Sequence, residues 1–167
     1  MRTGPRYRRL ETSFWADEDV RSLSDDAKLL CLFIRTGPHT TSVPGLWSAG
    51  QLALAEKLGW SSRIFRKAFD ALHDRGLVEA DWQAGVIFVP RVLDVDPPAS
   101  PDAIRGWRDT WSEIPACVLK TRVCADFRTY CEGRGPSFLS AFLDVVGGDG
   151  SIRISQRQNS KYDKELR

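Results

Sequence analysis

Hydrophobic residues recur with helical spacing along the first half of the chain. In the segment 24–36, Ala27, Leu30 and Ile34 lie three or four positions apart, and Ser24 precedes them as a suitable N-cap. Two more helical patterns occupy the segment 48–77 and are separated by the short turn Gly59-Trp60-Ser61. The buried positions that we predict for these two helices are Leu52, Ala55 and Leu58 in the first and Phe65, Ala68, Phe69 and Leu72 in the second.

The pattern changes from helical to strand-like after Gly76, which stands where a helix commonly ends. The runs LVEADW and VIFVP are joined by Gln83-Ala84-Gly85, with glycine at a position where a hairpin needs positive φ. Helix, turn, helix and hairpin is the order of elements in a winged helix. We therefore predict a fold that is mainly α with a small β-hairpin, namely a winged helix-turn-helix with a C-terminal helical extension.

The proline-rich segment DPPASP, residues 96–101, interrupts regular structure and marks a domain boundary. Ser100 and Pro101 favour the start of a new helix, a second helical pattern runs from Pro115 to about Cys131, and a third is SFLSAFLDVV. The third is apolar on most of its surface, so we expect it to pack on the winged domain or on a second copy of the chain. The predicted organisation is a basic arm (1–12), a winged-helix domain (13–96), a helical extension (97–146) and a flexible basic tail (147–167).

Composition excludes several classes of protein. No run approaches the roughly 20 apolar residues that cross a bilayer, so we expect no membrane partner and a cytoplasmic location. Four cysteines without a CxxC pair and only two histidines argue against a metal site, and no cofactor is expected. No phosphate-cradling glycine loop occurs, and His39 and His73 lack a nucleophile at a recognised spacing, so we expect no enzymatic activity.

The net charge is only +2, so the distribution of charge matters more than its sum. Basic residues lie in the N-terminal half of the predicted second helix of the helix-turn-helix, where arginine can pair with guanine and any cation can neutralise phosphate. Serine hydroxyls beside the amides at the start of that helix suit a phosphate oxygen. An ordinary solvated helix face also carries mixed charge, but the neighbouring turn and hairpin favour DNA binding. The predicted DNA-binding residues are Ser61, Ser62, Arg63, Arg66, Lys67, Gln83 at the wing tip, and Arg6, Arg8 and Arg9 of the arm.

Roughly residues 7–115 resemble the winged-helix N-terminal domains of bacteriophage and prophage replication-initiation proteins. The resemblance is carried, in this order, by YRRLETSFWADEDVRSLSDDAKLLCLFIRTGPHT, PGLW, LAEKLGWSSRIFRKAFDALHDRGLVEAD, GVIFVPRVLDVDPP and PDAIRGW. It implies a bacterial host cell, recognition of a replication origin on double-stranded DNA, and recruitment of a replicative helicase or its loader. Two alternatives stay open, namely a phage or prophage transcriptional regulator and a protein–protein interaction module of the replisome. A homodimer formed through the C-terminal helices is compatible with each of them.

Overall fold

The computed structural model describes residue 8 and residues 10–147. Contacts divide the chain into two compact units, with the boundary between Pro97 and Pro98. The structure is mainly helical, at 59% helix, and contains a small three-stranded antiparallel sheet. This confirms the predicted class, mainly α with a small β-hairpin. The predicted basic tail lies outside the described residues apart from Gly147, as does most of the predicted basic arm.

The N-terminal unit, here called unit 1, holds the three strands. Its helices are α1 (Glu18–Arg21), α2 (Asp25–Thr36), α3 (Gln51–Lys57), α4 (Ser62–His73) and α5 (Val92–Val95), and its strands are β1 (Leu46–Ser48), β2 (Glu79–Asp81) and β3 (Val86–Phe88). A short 3-10 turn (Thr12–Trp15) precedes α1. Strand β3 is central and pairs antiparallel with both neighbours, so that Ile87 stands opposite Trp47 on β1 and Ala80 on β2. The predicted hairpin is therefore extended by β1 into a sheet.

Local signals in the sequence set the segment that contains α3, α4 and the hairpin. The Ser61 side chain accepts a hydrogen bond from the Ile64 amide at 3.4 Å and caps the start of α4. Gly59 has a φ of 66° in the turn between α3 and α4, a conformation that costs glycine little. Gly85 has a φ of 64° at the end of the β2–β3 turn, which also agrees with the prediction. These features fix the order and the short spacing of α3, α4 and the hairpin.

The core of unit 1 lies between α2, α3, α4 and the sheet. The predicted stripe on α4 is buried in full and consists of Phe65, Ala68, Phe69 and Leu72. The prediction that Leu52 is buried was wrong, because 70% of that residue is exposed and Leu54 takes the core position. Helix α3 begins only at Gln51, and its inner face runs through Leu54, Ala55 and the half-buried Leu58, so Leu52 points away from the core.

The C-terminal unit, here called unit 2, is helical throughout its described residues. Its helices are α6 (Pro101–Arg105), α7 (Arg108–Glu113), α8 (Val118–Arg134) and α9 (Pro136–Val146). Helix α9 packs against α6, α7 and α8 around an aromatic cluster of Trp107, Trp111, Phe127 and Phe142. Contacts within unit 2 bury one face of α9, namely Ala141, Phe142, Val145 and Val146, whereas Leu143 is 36% exposed. Packing of this helix on the winged domain stays a prediction. Homodimerisation through these helices stays a prediction.

No helix within residues 10–147 is long and apolar enough to cross a membrane.

Candidate nucleic-acid interface

Helix α4 has one face in the core and one face in solvent. Phe65, Ala68, Phe69 and Leu72 fill the inner face, so the other positions of the first two turns point outward. Four of the predicted DNA-binding residues lie on this outer surface and are exposed: Ser62, Arg63, Arg66 and Lys67. Within the described part of the chain, none of the three cations forms an ion pair. The structure therefore brings them together as an accessible positive surface, here called the α4 cationic face.

The start of α4 carries no acidic residue in its first turn, whereas the start of α2 carries Asp25 and Asp26. Because the N-terminus of a helix has the positive end of its dipole, the α2 carboxylates compensate that charge and the α4 cations add to it. The Ser61 oxygen accepts the Ile64 amide, which leaves the Ser61 hydroxyl hydrogen able to donate. Both features suit an anion such as a phosphate group.

Acidic residues appear only later along α4. Asp70 is exposed in the third turn, and the exposed Asp74 follows the last helical residue. The Asp74 carboxylate lies 3.9 Å from Nδ1 of His73, in an exposed pair that has little effect on stability. The positive charge is therefore concentrated at the N-terminal half of α4, and the negative charge at its C-terminal end.

The β2–β3 hairpin is held beside α4 by Trp82. The Trp82 ring centroid lies 4.7 Å from that of Phe69 and 6.2 Å from that of Phe65, so the hairpin and the helix share one aromatic contact. The Asp81 carboxylate accepts the Ala84 amide at 3.0 Å and closes the turn. Gln83 is exposed at the tip, as predicted, but residues 81–85 contain no cation. The tip can therefore contribute hydrogen bonds to a partner but no positive charge.

Arg8 is engaged inside unit 1. Its Nη2 donates to the Thr41 carbonyl, its Nε donates to Thr40 Oγ1 at 3.2 Å, and its Nη1 lies 3.6 Å from Asp96 Oδ2. These contacts hold the half-buried guanidinium against the loop that follows α2. In this structure Arg8 contacts other residues of unit 1, and a contact of Arg8 with DNA stays a prediction. Arg6 and Arg9 lie outside the described residues.

Unit 1 also contains a cavity of about 560 Å³ that the sequence did not predict. Both signs of charge line this cavity. Its cations include Arg8, Arg35 and Arg75, and its acids include Asp17, Asp19 and Asp96. Arg8 already pairs with Asp96, and the Arg35 guanidinium lies over the Phe14 ring at 5.7 Å. Because both acids and cations line it, the cavity lacks the uniform positive charge of the α4 cationic face.

The structure offers little for metal or thiol chemistry in the part that it describes. No three His, Cys, Asp or Glu residues converge within that part as a metal site, and none of the four cysteines forms a disulfide there. Burial raises the pKa of the Cys131 thiol to about 11 and also raises the pKa of Cys31. A raised pKa keeps a thiol protonated, and the protonated form is a poor nucleophile and a poor metal ligand.

Sequence reasoning missed two exposed apolar residues of α3 and α4. Leu52 on α3 is 70% exposed and Ile64 in the first turn of α4 is 38% exposed. For Ile64 a signal was present, because the capping serine at 61 places it at the third helical position, where Glu or Gln is the usual residue. Both side chains therefore add apolar surface close to charged residues.

Comparisons of the chain with protein-family models, with curated proteins and with solved structures found no match. The order of its elements and the chemistry of α4 are therefore the basis for a functional proposal.

Proposed function

We propose that unit 1 is a winged helix-turn-helix that binds double-stranded DNA, with α3 and α4 as the helix-turn-helix and the β2–β3 hairpin as the wing. The order α2, β1, α3, α4, β2, β3 supports this proposal, as does the pairing of β1 with β3 beside the hairpin. The turn at Gly59 and the contact between Trp82 and Phe69 support it further, because they set α4 between a second helix and a wing.

The observation that carries the proposal is the α4 cationic face. Arg63, Arg66 and Lys67 are exposed in the half of the helix that a helix-turn-helix inserts into the major groove. There the arginines can donate to guanine O6 and N7, and each of the three cations can neutralise a phosphate. In this proposal Ser61 and Ser62 at the helix start and Gln83 at the wing tip donate to the DNA backbone beside the groove.

The biological role that we propose is recognition of an origin in replication initiation of the phage type, since residues 7–115 resemble such initiators. A transcriptional regulator of phage or prophage origin is the alternative and would use the same face of α4. Selection of bound duplexes from a random pool separates the two roles. Repeated direct sites favour assembly on an origin, and a single palindrome favours a dimeric regulator.

The DNA-binding proposal is tested by titrating the full chain onto duplex DNA over a salt series, with fluorescence anisotropy as the readout. The test variant is Arg63→Ala/Arg66→Ala/Lys67→Ala. Its matched control removes three exposed cations from other helices and is Arg21→Ala/Arg108→Ala/Arg128→Ala. Each neutralised phosphate contributes about −0.9 to the slope of log Kobs against log salt, so losing three phosphate contacts makes the slope less negative by about 2.7.

The control should keep a slope close to that of the wild type, because it loses the same net charge from positions outside α4. An equal change in slope for both variants would contradict the assignment of α4 as the interface. No binding of the wild type to duplex at low salt and micromolar protein would instead favour the interaction module that the sequence left open.

A further inference from the structure

Ile64 occupies a position in α4 that neither helix capping nor the core accounts for. It is the third helical residue after the Ser61 N-cap, where a Glu or Gln side chain would reach back to the N-cap amide. An isoleucine makes no such hydrogen bond, and its β-branched side chain lowers helix propensity slightly. The core positions of this turn belong to Phe65 and Ala68, and Ile64 remains 38% exposed.

The neighbours of Ile64 on the outer surface are polar or charged. Arg63 precedes it, and Lys67 follows three positions later on the same side of the helix. At about 100° per residue, Ile64 and Arg66 lie on opposite flanks of the α4 cationic face. One flank of this face is therefore apolar, and the other carries a guanidinium.

We infer that Ile64 contacts the 5-methyl group of a thymine and makes the bound site specific for thymine at one position. The inference rests on the proposed function, because it requires the first turn of α4 to lie in the major groove. The methyl group of thymine is the apolar group that the standard base edges present in that groove. A guanidinium or ammonium cannot hydrogen-bond to it, whereas an exposed isoleucine gains by removing apolar surface from water.

The test uses a duplex selected from a random pool with the full chain. Each thymine is then replaced singly by uracil, which removes the methyl group and keeps the O4 acceptor and the pairing with adenine. Affinity is measured by fluorescence anisotropy at one fixed salt concentration. Removing one buried carbon group from the contact should lower the affinity about fourfold. We expect this loss at one thymine position in each copy of the bound site.

Three variants complete the design. Ile64→Ala should bind the thymine and uracil duplexes equally. Ile64→Val keeps a branched apolar side chain, so uracil should still lower its affinity by most of the wild-type amount. Leu52→Ala is the matched control, because it removes another exposed apolar side chain of the helix-turn-helix and should leave the loss unchanged. Circular dichroism confirms that each variant keeps its helix content.

The inference is overturned if every thymine-to-uracil replacement leaves wild-type affinity unchanged, or if Ile64→Ala keeps the loss. In both cases the proposed function still stands, provided that the Arg63, Arg66 and Lys67 variant loses affinity. If the wild type binds no duplex, the proposed function and this inference fail together.

Discussion

We predict that His39 makes unit 1 less stable at acid pH. Its ring centroid lies 4.8 Å from that of Phe33 and 5.1 Å from that of Trp47, and its Nε2 is 3.1 Å from the Ile34 carbonyl oxygen. Nδ1 is buried and has no hydrogen-bond partner among the described residues. Burial lowers the pKa of His39 below its ordinary value of 6.5; the Ile34 carbonyl opposes this effect and Lys57 adds to it. We therefore expect His39 to be neutral in the folded protein near neutral pH.

The sign of the pH dependence follows from this lowered pKa. Below pH 6.5 the unfolded chain takes up a proton at this histidine that the folded chain does not, so the free energy of unfolding decreases as the pH decreases. The contribution of His39 is complete above pH 6.5 and is lost as the pH falls from 6.5 through the lowered pKa of the folded state. One proton sets an upper bound on the slope of about 1.4 kcal/mol per pH unit.

The assay is urea unfolding followed by tryptophan fluorescence between about pH 5 and pH 8, where a histidine of this type titrates. The comparison variant is His39→Gln, because glutamine can donate to the Ile34 carbonyl oxygen but does not titrate. Wild type should lose stability relative to His39→Gln only below pH 6.5. Proton NMR of the imidazole should give a midpoint below 6.5, with the resonance assigned through its absence in the variant. Parallel stability profiles, or a midpoint at or above 6.5, would refute the reasoning.

Two further predictions concern the start of α4 and the interior of unit 2. Ser61→Ala removes the acceptor of the Ile64 amide and should lower the free energy of unfolding by about 1 kcal/mol. Ser61→Asp keeps an acceptor and should keep the free energy of unfolding. It should weaken duplex binding in the anisotropy assay, because its carboxylate repels phosphate. Unchanged affinity would contradict a phosphate contact at this position. Lys120→Met removes the buried Nζ that donates to the Trp111 and Ile114 carbonyls at 2.8 and 2.9 Å, and should cost about 3 kcal/mol in urea unfolding. Val118→Ala, at an 84% exposed position, is the control and should change stability little.

The elements that the sequence predicted well are those fixed by neighbouring residues. Ser24 and Ser61 cap α2 and α4 through the amide three residues later, and Gly85 supplies the positive φ of the hairpin turn. The apolar stripe of α4 is also a local signal, since its spacing of three and four residues is unambiguous in a helix of this length. The exposed positions of Arg63 and Lys67 follow from that stripe, so part of the candidate site was predictable as well.

Features that depend on distant partners were not predictable. The pairing of Trp47 with Ile87 joins residues forty positions apart, and three-residue strands carry too little alternation to specify it. The pattern around Leu52 fits more than one helical face, and only the packing of α3 decides between them. The ion pair between Arg8 and Asp96 joins residues far apart in the sequence, so Arg8 could be recognised as basic but not as engaged.

Helices α2 and α4 provide a comparison within one chain that bears on the proposed function. Both have twelve residues, and both begin with a serine that accepts the amide three residues later. A carboxylate in the first turn stabilises a helix by about 0.3–1 kcal/mol, and a cation there has the opposite sign. Asp25 and Asp26 give α2 that stabilisation, whereas α4 places Arg63 at the same end without an acid. Helix stability therefore does not explain Arg63 at the start of α4, whereas the DNA binding that we propose would use the positive potential at this end of the helix.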